Sequence, residues 1–396
     1  KELKRIRKAS PLLKKMNKPQ AKIAMFFPYT NWIINPQKKQ LPPGYTGIGF
    51  YHKEERPFNR WYPTGYTPFN AYEFFFRNFG ECDVVEERLI ARGHFNGYRM
   101  IALLATDFIH QQAAEKIEEF VKNGGILLMD KIPSFNQNGE RISFMNNLEF
   151  SYFEPLFDGI EIKSAMFGKG KVYLLTDDLD QIYTDILVSD DTRKDILLKE
   201  KFQQIVFDRE RILPHCLSTN TLVEASFLSN NEFICITVVN HSQKSEETTV
   251  KIFQPDYEVN FALDLITFEK ISLRKTENGI EIDCELEDLS GRFIGLYNEL
   301  PDTIEIEGKA SYKKGDYLYF KILPVSKNKV VNGEFLCRVT CVTPEGIIDC
   351  DKIISVNSSG YILGKAIAEN EITGIWSLEV ELLHSGVSKK IAWNVF

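Results

Sequence analysis

The chain is poor in the residues that most directly signal chemistry. Its 396 residues include only six histidines and seven cysteines, and neither set falls into a recognisable pattern. The histidines, at 52, 94, 110, 215, 241 and 384, contain no i, i+4 pair that could clasp a metal from one helix face. The cysteines, at 82, 216, 235, 284, 337, 341 and 350, form no Cys-x-x-Cys, and their odd number suits neither a zinc site nor a secreted disulfide framework. Most of them sit in apolar runs such as Phe233-Ile-Cys-Ile. The reading is of buried free thiols in a reducing compartment, with a cytoplasmic location expected. No apolar run approaches the roughly 18 residues of a membrane helix, and no signal-peptide core opens the sequence. The sequence starts at Lys1 rather than Met, which leaves the natural N-terminus, and with it any targeting segment, open. A net charge of −7 argues against nucleic acid or an anionic membrane as the main partner. The basic cluster is the first eighteen residues, with eight Lys or Arg, read as a solvated helical linker.

Hydrophobic and aromatic residues are plentiful. They make up 43% and 12% of the chain, with 29 Phe and 16 Tyr, enough for large cores or large interfaces, and the length suggests two or three domains. From residue 19 to 212 short apolar runs alternate with segments of helical period. The strands expected are Ala21 to Phe27, Cys82 to Glu86, Arg99 to Leu104, Ile126 to Met129 and Lys171 to Leu175. The helices expected are one capped at Asn70 with Glu73 three residues on, one from Gln111 to Asn123 ending at Gly124-Gly125, and a closing helix from Asp195 to Phe207. That alternation implies an open parallel sheet flanked by helices, of flavodoxin-like α/β type. From residue 213 to 300 the period becomes two, as in a small antiparallel β-sandwich, and residues 301 to 396 repeat the habit as an immunoglobulin-like sandwich. The fold class is therefore α/β plus all-β.

Specific stretches carry a resemblance. Ala21 to Ala24, Phe95 to Leu103, Ala114 to Met129 with its Gly-Gly before a buried strand, and Gly168 to Tyr173 resemble the β-galactosidase trimerisation domain of glycoside hydrolase family 42. That domain has a class I glutamine-amidotransferase-like fold. Val238 to Ser242 and Phe261 to Thr267 resemble the small β domain that follows it, so the resemblance covers about residues 1 to 300. It implies a homo-oligomer, a trimer in that family, or a catalytic barrel as partner, with carbohydrate as a further candidate. Family 42 enzymes place two glutamates on a barrel of about 250 residues. Only about eighteen residues precede the first strand here, and the Asn-Glu pairs at Asn231, Asn298 and Asn370 fall in β-domain turns. An amidotransferase-like nucleophile would need Cys and Gly in a tight elbow. After Met129 the chain reads Asp130-Lys131-Ile132-Pro133, and Gly-x-Ser-x-Gly occurs nowhere. No catalytic residue, cofactor or metal site is expected. The acidic stretches Asp177-Asp178-x-Asp180 and Asp190-Asp191 read as solvated loops rather than calcium sites, and Gly168-Lys-Gly170 as a turn.

One long segment, residues 28 to 69, carries aromatic, Arg and Pro residues without a core pattern. Loops of this length inside compact domains are usually functional, and this one leaves the carboxyl end of a strand, the side on which open sheets bind partners. Trp32, Tyr51, Arg60, Trp61 and Tyr62 are its candidate contact residues. A subunit or domain contact, a sugar-stacking surface and plain local packing remain the alternatives. The functional expectation is a non-catalytic oligomerisation and support region of a β-galactosidase-like glycoside hydrolase. The alternative is a free-standing carbohydrate-binding protein that uses this segment or a sandwich face.

Overall fold

A computed structural model describes residues 2–34, 69–80, 82–189, 191–253, 255 and 257–396. The chain divides into two compact units, Gln20–Leu217 and Lys1–Pro19 with Ser218–Phe396. The first helix, α1 (Glu2–Leu13), belongs to the second of these.

The Gln20–Leu217 unit is a mixed α/β layer structure. In chain order it comprises β1 (Ile23–Phe27), α2 (Tyr29–Ile34), α3 (Phe69–Phe79), β2 (Cys82–Glu86), α4 (Glu87–Ala91), β3 (Met100–Leu103), α5 (Gln111–Lys122), β4 (Ile126–Met129), β5 (Tyr152–Pro155), β6 (Glu161–Phe167), β7 (Gly170–Leu175), α6 (Leu179–Ser189) and α7 (Thr192–Gln203). A π-helical turn, Gln204–Arg209, continues α7. The seven-stranded sheet runs β2-β1-β3-β4-β7-β6-β5. Strands β2, β1, β3, β4 and β7 are mutually parallel, whereas β6 and β5 are added antiparallel at one edge.

Both faces of the central strands are covered, which is why their sequences are apolar throughout instead of alternating. On β1, Ile23 and Met25 join a cluster with Phe74, Phe75, Phe79 and Phe202. Ala24 and Phe26 join one with Ile90, Ile117 and Val121 on the opposite face. Phe74 is the hub of the first cluster, with edge-on ring contacts to Phe75 at 5.6 Å, Tyr183 at 5.2 Å and Phe202 at 5.3 Å. Offset and edge-on geometries are those that aromatic quadrupoles favour. Much of the aromatic content of this unit is thus core. Gly170 opens β7 where a Cβ would lie 2.1 Å from the Val121 carbonyl oxygen. The Gly168-Lys-Gly170 turn therefore exists to let the strand pass the end of α5.

Two local expectations change. Asn70 lies within the first turn of α3 rather than capping it. The capping acceptor is Asp180 Oδ1, which takes the N–H groups of Asn70 (2.7 Å) and Ala71 (3.0 Å), while the Asn70 amide turns to Thr184 Oγ1. The Asp177–Asp180 stretch accordingly runs from an exposed bend at Asp177 into the start of a helix at Leu179, and it is Asp180 that departs from the solvated-loop expectation. Asp180 is buried, and Asp178 accepts from Gln181 N in the first turn of α6. Asp191 likewise caps α7 through Lys194 N, and Asp190 lies outside the described residues.

In the second unit, two two-sheet assemblies follow one another, antiparallel but for one short parallel pairing. The first is built from β8 (Cys216–Ser218), β9 (Val223–Ser229), β10 (Ile234–Asn240), β11 (Glu246–Phe253), β12 (Phe261–Asp264), β13 (Lys270–Ile271), β14 (Leu273–Thr276), β15 (Gly279–Leu286) and β16 (Gly291–Tyr297). Its sheets run β13-β12-β16-β10-β9 and β14-β15-β11-β8. The second is built from β17 (Thr303–Gly308), β18 (Ser311–Tyr312), β19 (Tyr317–Ser326), β20 (Lys329–Val330), β21 (Phe335–Val342), β22 (Ile348–Val356), β23 (Tyr361–Ala366), β24 (Gly374–Leu382) and β25 (Ser388–Val395). One of its sheets runs β17-β19-β20 with β23 also paired to β19, and the other runs β18-β25-β24-β21-β22. All seven cysteines are free thiols, and six of them are buried. No helix among the described residues is long and apolar enough to cross a membrane.

The sequence separates the two sandwiches at Leu300-Pro301, yet one apolar cluster runs through both. Phe233 lies 4.9 Å from Tyr297, and Tyr297 stacks on Phe335 at 5.2 Å. Helix α1, in the segment read as a linker, buries Ala9 and Leu12 in the same cluster. Beyond it, Asn17 exchanges two backbone hydrogen bonds with Ser229. Glu334, 1% exposed, collects the donors of this junction. Its carboxylate accepts from Lys15 Nζ at 2.8 Å, Asn357 Nδ2 at 3.1 Å, Asn230 Nδ2 at 3.3 Å and the Ser355 hydroxyl. Removing one member of a buried ionic cluster is costly because the remaining donors lose their partner. Glu334→Ala is expected to lower unfolding free energy by about 3 kcal/mol. Lys15→Ala, whose partners keep other donors and whose side chain is 37% exposed, should cost less than half as much. Urea denaturation of both variants checks the ranking, and equal losses would show that Glu334 is not the hub.

Candidate functional site at the carboxyl end of the parallel sheet

Loops gather beyond the carboxyl ends of β1, β2, β3 and β4, where open α/β sheets place their ligands. Three acidic side chains organise this end. Glu87, immediately after β2, is 1% exposed and uses both carboxylate oxygens on backbone amides. Oε2 accepts from Thr30 N and Oε1 from His110 N, each at 2.5 Å. Asp130, immediately after β4, accepts from Ala105 N at 2.8 Å and more weakly from Leu179 N at 3.3 Å. Asp180 holds the start of α3 as described. Asn31, on α2, donates to the Ala105 carbonyl at 3.0 Å and accepts from Asp107 N and Phe108 N at 3.1 and 3.2 Å.

Ala105 has φ +50°, a left-handed conformation that costs a residue with a Cβ roughly 1 kcal/mol or more. Its N–H is fixed by Asp130 and its C=O by Asn31, so the surrounding groups impose that conformation. Burial raises the Glu87 carboxyl above its ordinary value, although the backbone hydrogen bonds of His110 and Thr30 pull it down. Burial, followed by the Asp178 carboxylate, pushes Asp130 up to about 7 despite its amide partners. At the rim, Lys131 pairs with Asp107, and the Arg88 guanidinium lies 4.5 Å over the Tyr29 ring. These groups join the loops to one another. The described residues show no nucleophile–base pair here and no cluster of metal-ligating side chains.

Of the residues expected from sequence, Trp32 lies on α2, beside this site along the chain, with its side chain outside the described residues. Tyr51, Arg60, Trp61 and Tyr62 also lie outside the described residues. Sequence reasoning missed the acidic residues. The available signal was position, since Glu87 and Asp130 each follow directly on the last residue of a parallel strand.

A second feature lies at the antiparallel edge of the sheet. On the edge strand β5, Tyr152 is 46% and Phe153 53% exposed, and Met166 on the adjacent β6 is 63% exposed. Arg209 lies 5.1 Å over the Tyr152 ring and Lys163 5.4 Å over the Phe153 ring. Between the two aromatics' neighbours, Glu154 is buried and pairs with Lys201 and with Arg209 at 2.7 Å. Burial acts to raise its carboxyl, but the Arg209 and Lys201 hydrogen bonds outweigh burial and hold it below the ordinary range.

No family model matches the sequence, and no curated protein matches it. Solved structures align with parts of the chain. A β-galactosidase from Bacillus circulans sp. alkalophilus aligns at 12% identity and a TM-score of 0.47, over 74% of this chain and 44% of its own. Gan42B, a GH42 β-galactosidase from G. stearothermophilus, aligns at 16% identity and 0.43, over 70% and 40%. An α-L-fucosidase isoenzyme 2 from Paenibacillus thiaminolyticus aligns at 14% and 0.46, over 74% and 51%. The neighbours are thus β-galactosidases and another glycoside hydrolase, and the chain spans about half of their length or less. Likeness of this degree assigns no activity to this chain.

The raised Asp130 carboxyl sets a pH dependence. Between its unfolded value near 3.8 and its folded value of about 7, the folded chain holds a proton that the unfolded chain has released. Its stabilising contribution is complete below the lower value and is lost as pH rises through the upper one. Asp130→Asn cannot ionise, so its stability should fall less than that of the wild type between about pH 5 and pH 8, by roughly 2 kcal/mol. Denaturation curves at fixed pH values measure the difference, and parallel profiles would mean that Asp130 is ionised throughout.

Proposed function

We propose that the chain is a non-catalytic oligomerisation and support region of a β-galactosidase-like glycoside hydrolase. In this reading it assembles with further copies of itself, as a trimer in keeping with the sequence resemblance, or against a catalytic barrel. The galactosidase context comes from that sequence resemblance. The flavodoxin- and amidotransferase-like reading of the α/β unit is supported by the order of its parallel strands. Counted alone, β2-β1-β3-β4-β7 follows the 2-1-3-4-5 doubly wound pattern.

The observation that carries the assembly role is the aromatic edge strand. An edge strand presents unpaired backbone groups, and natural sheets usually blunt such edges with charge or cover them. Here Tyr152 and Phe153, adjacent in a strand, point to opposite faces, so the edge offers aromatic surface on both sides. Pro155 limits how far a further strand could pair along it. Aromatic residues and Arg are enriched at interfaces, and Tyr152, Phe153 and Arg209 are gathered along this edge. The site at the carboxyl end supports the same reading, because its carboxylates tie loops together through backbone amides.

Light scattering across a range of protein concentrations tests the proposal. A stable mass near three chains is expected, reduced by Phe153→Glu. Trp32→Ala and Trp61→Ala test whether the 28–69 segment shares the contact. A particle of 45.7 kDa at every concentration would sink the self-assembly role. Saturable galactoside binding by that monomer would favour the carbohydrate-binding alternative.

A further inference from the structure

The second sandwich holds a partly open cavity of about 230 Å³ between its two sheets. Protein cores seldom leave voids much larger than a water molecule, and a dry cavity of about 150 Å³ lined by apolar side chains is enough to take up benzene. This one is larger by half. Leu318 and Leu363 come to it from β19 and β23, while Cys341, Trp376, Trp393 and Val395 come from the facing sheet. The two tryptophans are stacked, with centroids 6.0 Å apart and planes 25° from parallel, and both are nearly fully buried. They form a firm aromatic wall.

The mouth opens between β22 and β23, the strands that end their respective sheets on this side. Four charged side chains line it, Lys352 and Lys365 with Asp349 and Glu371. Lys365 Nζ pairs with Asp349 at 3.1 Å and Glu371 at 3.3 Å, and sits 5.0 Å over the Trp376 ring.

The lining decides what could enter. The Trp376 indole N–H is already donated to the Ile372 carbonyl at 2.9 Å, and apart from the Trp393 indole N–H the other wall groups are alkyl, aromatic or thiol. A saccharide placed inside would strip its many hydroxyls of water for a single strong donor in return, which is unfavourable. A flat apolar ring would gain contact with both indoles and both leucines. The charged groups all lie at the mouth, where two cations face two anions, so a neutral polar substituent disturbs the Lys365 pairs least. We propose that the second sandwich carries a ligand pocket for a neutral, two-ring aromatic molecule of indole or naphthol size, its single polar group at the Lys365–Asp349–Glu371 mouth. This pocket is independent of the assembly role, and sugars are not its ligand.

Calorimetric titration of the full chain with 2-naphthol and with indole, followed in parallel by ligand-observed NMR, tests the proposal. One-to-one saturable binding is expected, with galactose giving none. Leu363→Phe, which fills the cavity from within, should weaken naphthol binding by about tenfold or more while leaving the melting temperature unchanged or raised. Should Leu363→Phe unfold, Cys341→Leu fills the cavity from the facing sheet instead and carries the same expectation. Absence of saturable binding by either probe overturns the proposal. So does binding that the folded cavity-filling variant leaves untouched, or a preference for galactose over naphthol.

Discussion

A carboxylate withdrawn from water must be surrounded by donors, and in this chain that requirement fixes where several loops end. Glu87 gathers the amides of Thr30 and His110, Asp130 those of Ala105 and Leu179, and Asp180 those of Asn70 and Ala71. Each joins residues distant in sequence whose N–H groups would otherwise be left without partners at helix starts or tight turns. In the β unit the same requirement is met by side-chain donors around Glu334. An apolar residue at any of these positions would leave two or more buried donors unsatisfied, at a cost comparable to a large part of a domain's net stability.

This arrangement bears on function through location. The carboxyl end of a parallel sheet is where backbone amides and helix starts usually greet a ligand. Here the amides of Thr30, Ala105 and His110 are turned to the protein's own carboxylates. The same economy appears at the strained residue. Ala105 adopts a left-handed conformation of the kind that active sites exploit to present a nucleophile, but its side chain is a methyl group and its backbone is held on both sides. Among the described residues, the exposed large aromatics of the α/β unit lie elsewhere, on the edge strand β5.

The strands of the α/β unit were readable because a sheet covered on both faces needs unbroken apolar runs. Ile126–Met129 and Cys82–Glu86 coincide with their expected limits, and α5 ends at the expected Gly-Gly. What escaped has physical reasons. Helix α6 was hidden because its opening Asp177-Asp178-x-Asp180 looks like a solvated acidic loop until Asp180 is seen to reach α3, more than a hundred residues earlier. Strands β5 and β6 were hidden because an edge pair half open to solvent mixes exposed aromatics with buried polar residues, and so carries no clean period. Of the candidate contact residues, Trp32 alone lies on a described element; the acidic residues of the site could be suspected only from their place after a strand. The continuity between sandwiches was beyond sequence reading, since Tyr297 and Phe335 look like ordinary strand residues of separate modules.

Two buried acids at opposite parts of the sheet show how partners, and not residue type, set the response to pH. Asp130 is surrounded by neutral amides and a second carboxylate, so burial prevails and its proton is held up to about 7. Glu154, buried at the edge, faces Arg209 and Lys201, and their charges prevail over burial, so its proton leaves early. The signs are opposite. A depressed acid contributes stability that is present above its unfolded value and lost as pH falls through its folded one, whereas the raised acid loses its contribution as pH climbs. Acid therefore loosens the β5 edge and the helix α7 held against it, and alkali loosens the loops at the carboxyl end. Since the edge is the surface through which the chain is proposed to assemble, Glu154 ties that surface to the helical layer beneath it. Protonation of that carboxylate removes the charge that both Lys201 and Arg209 hold there.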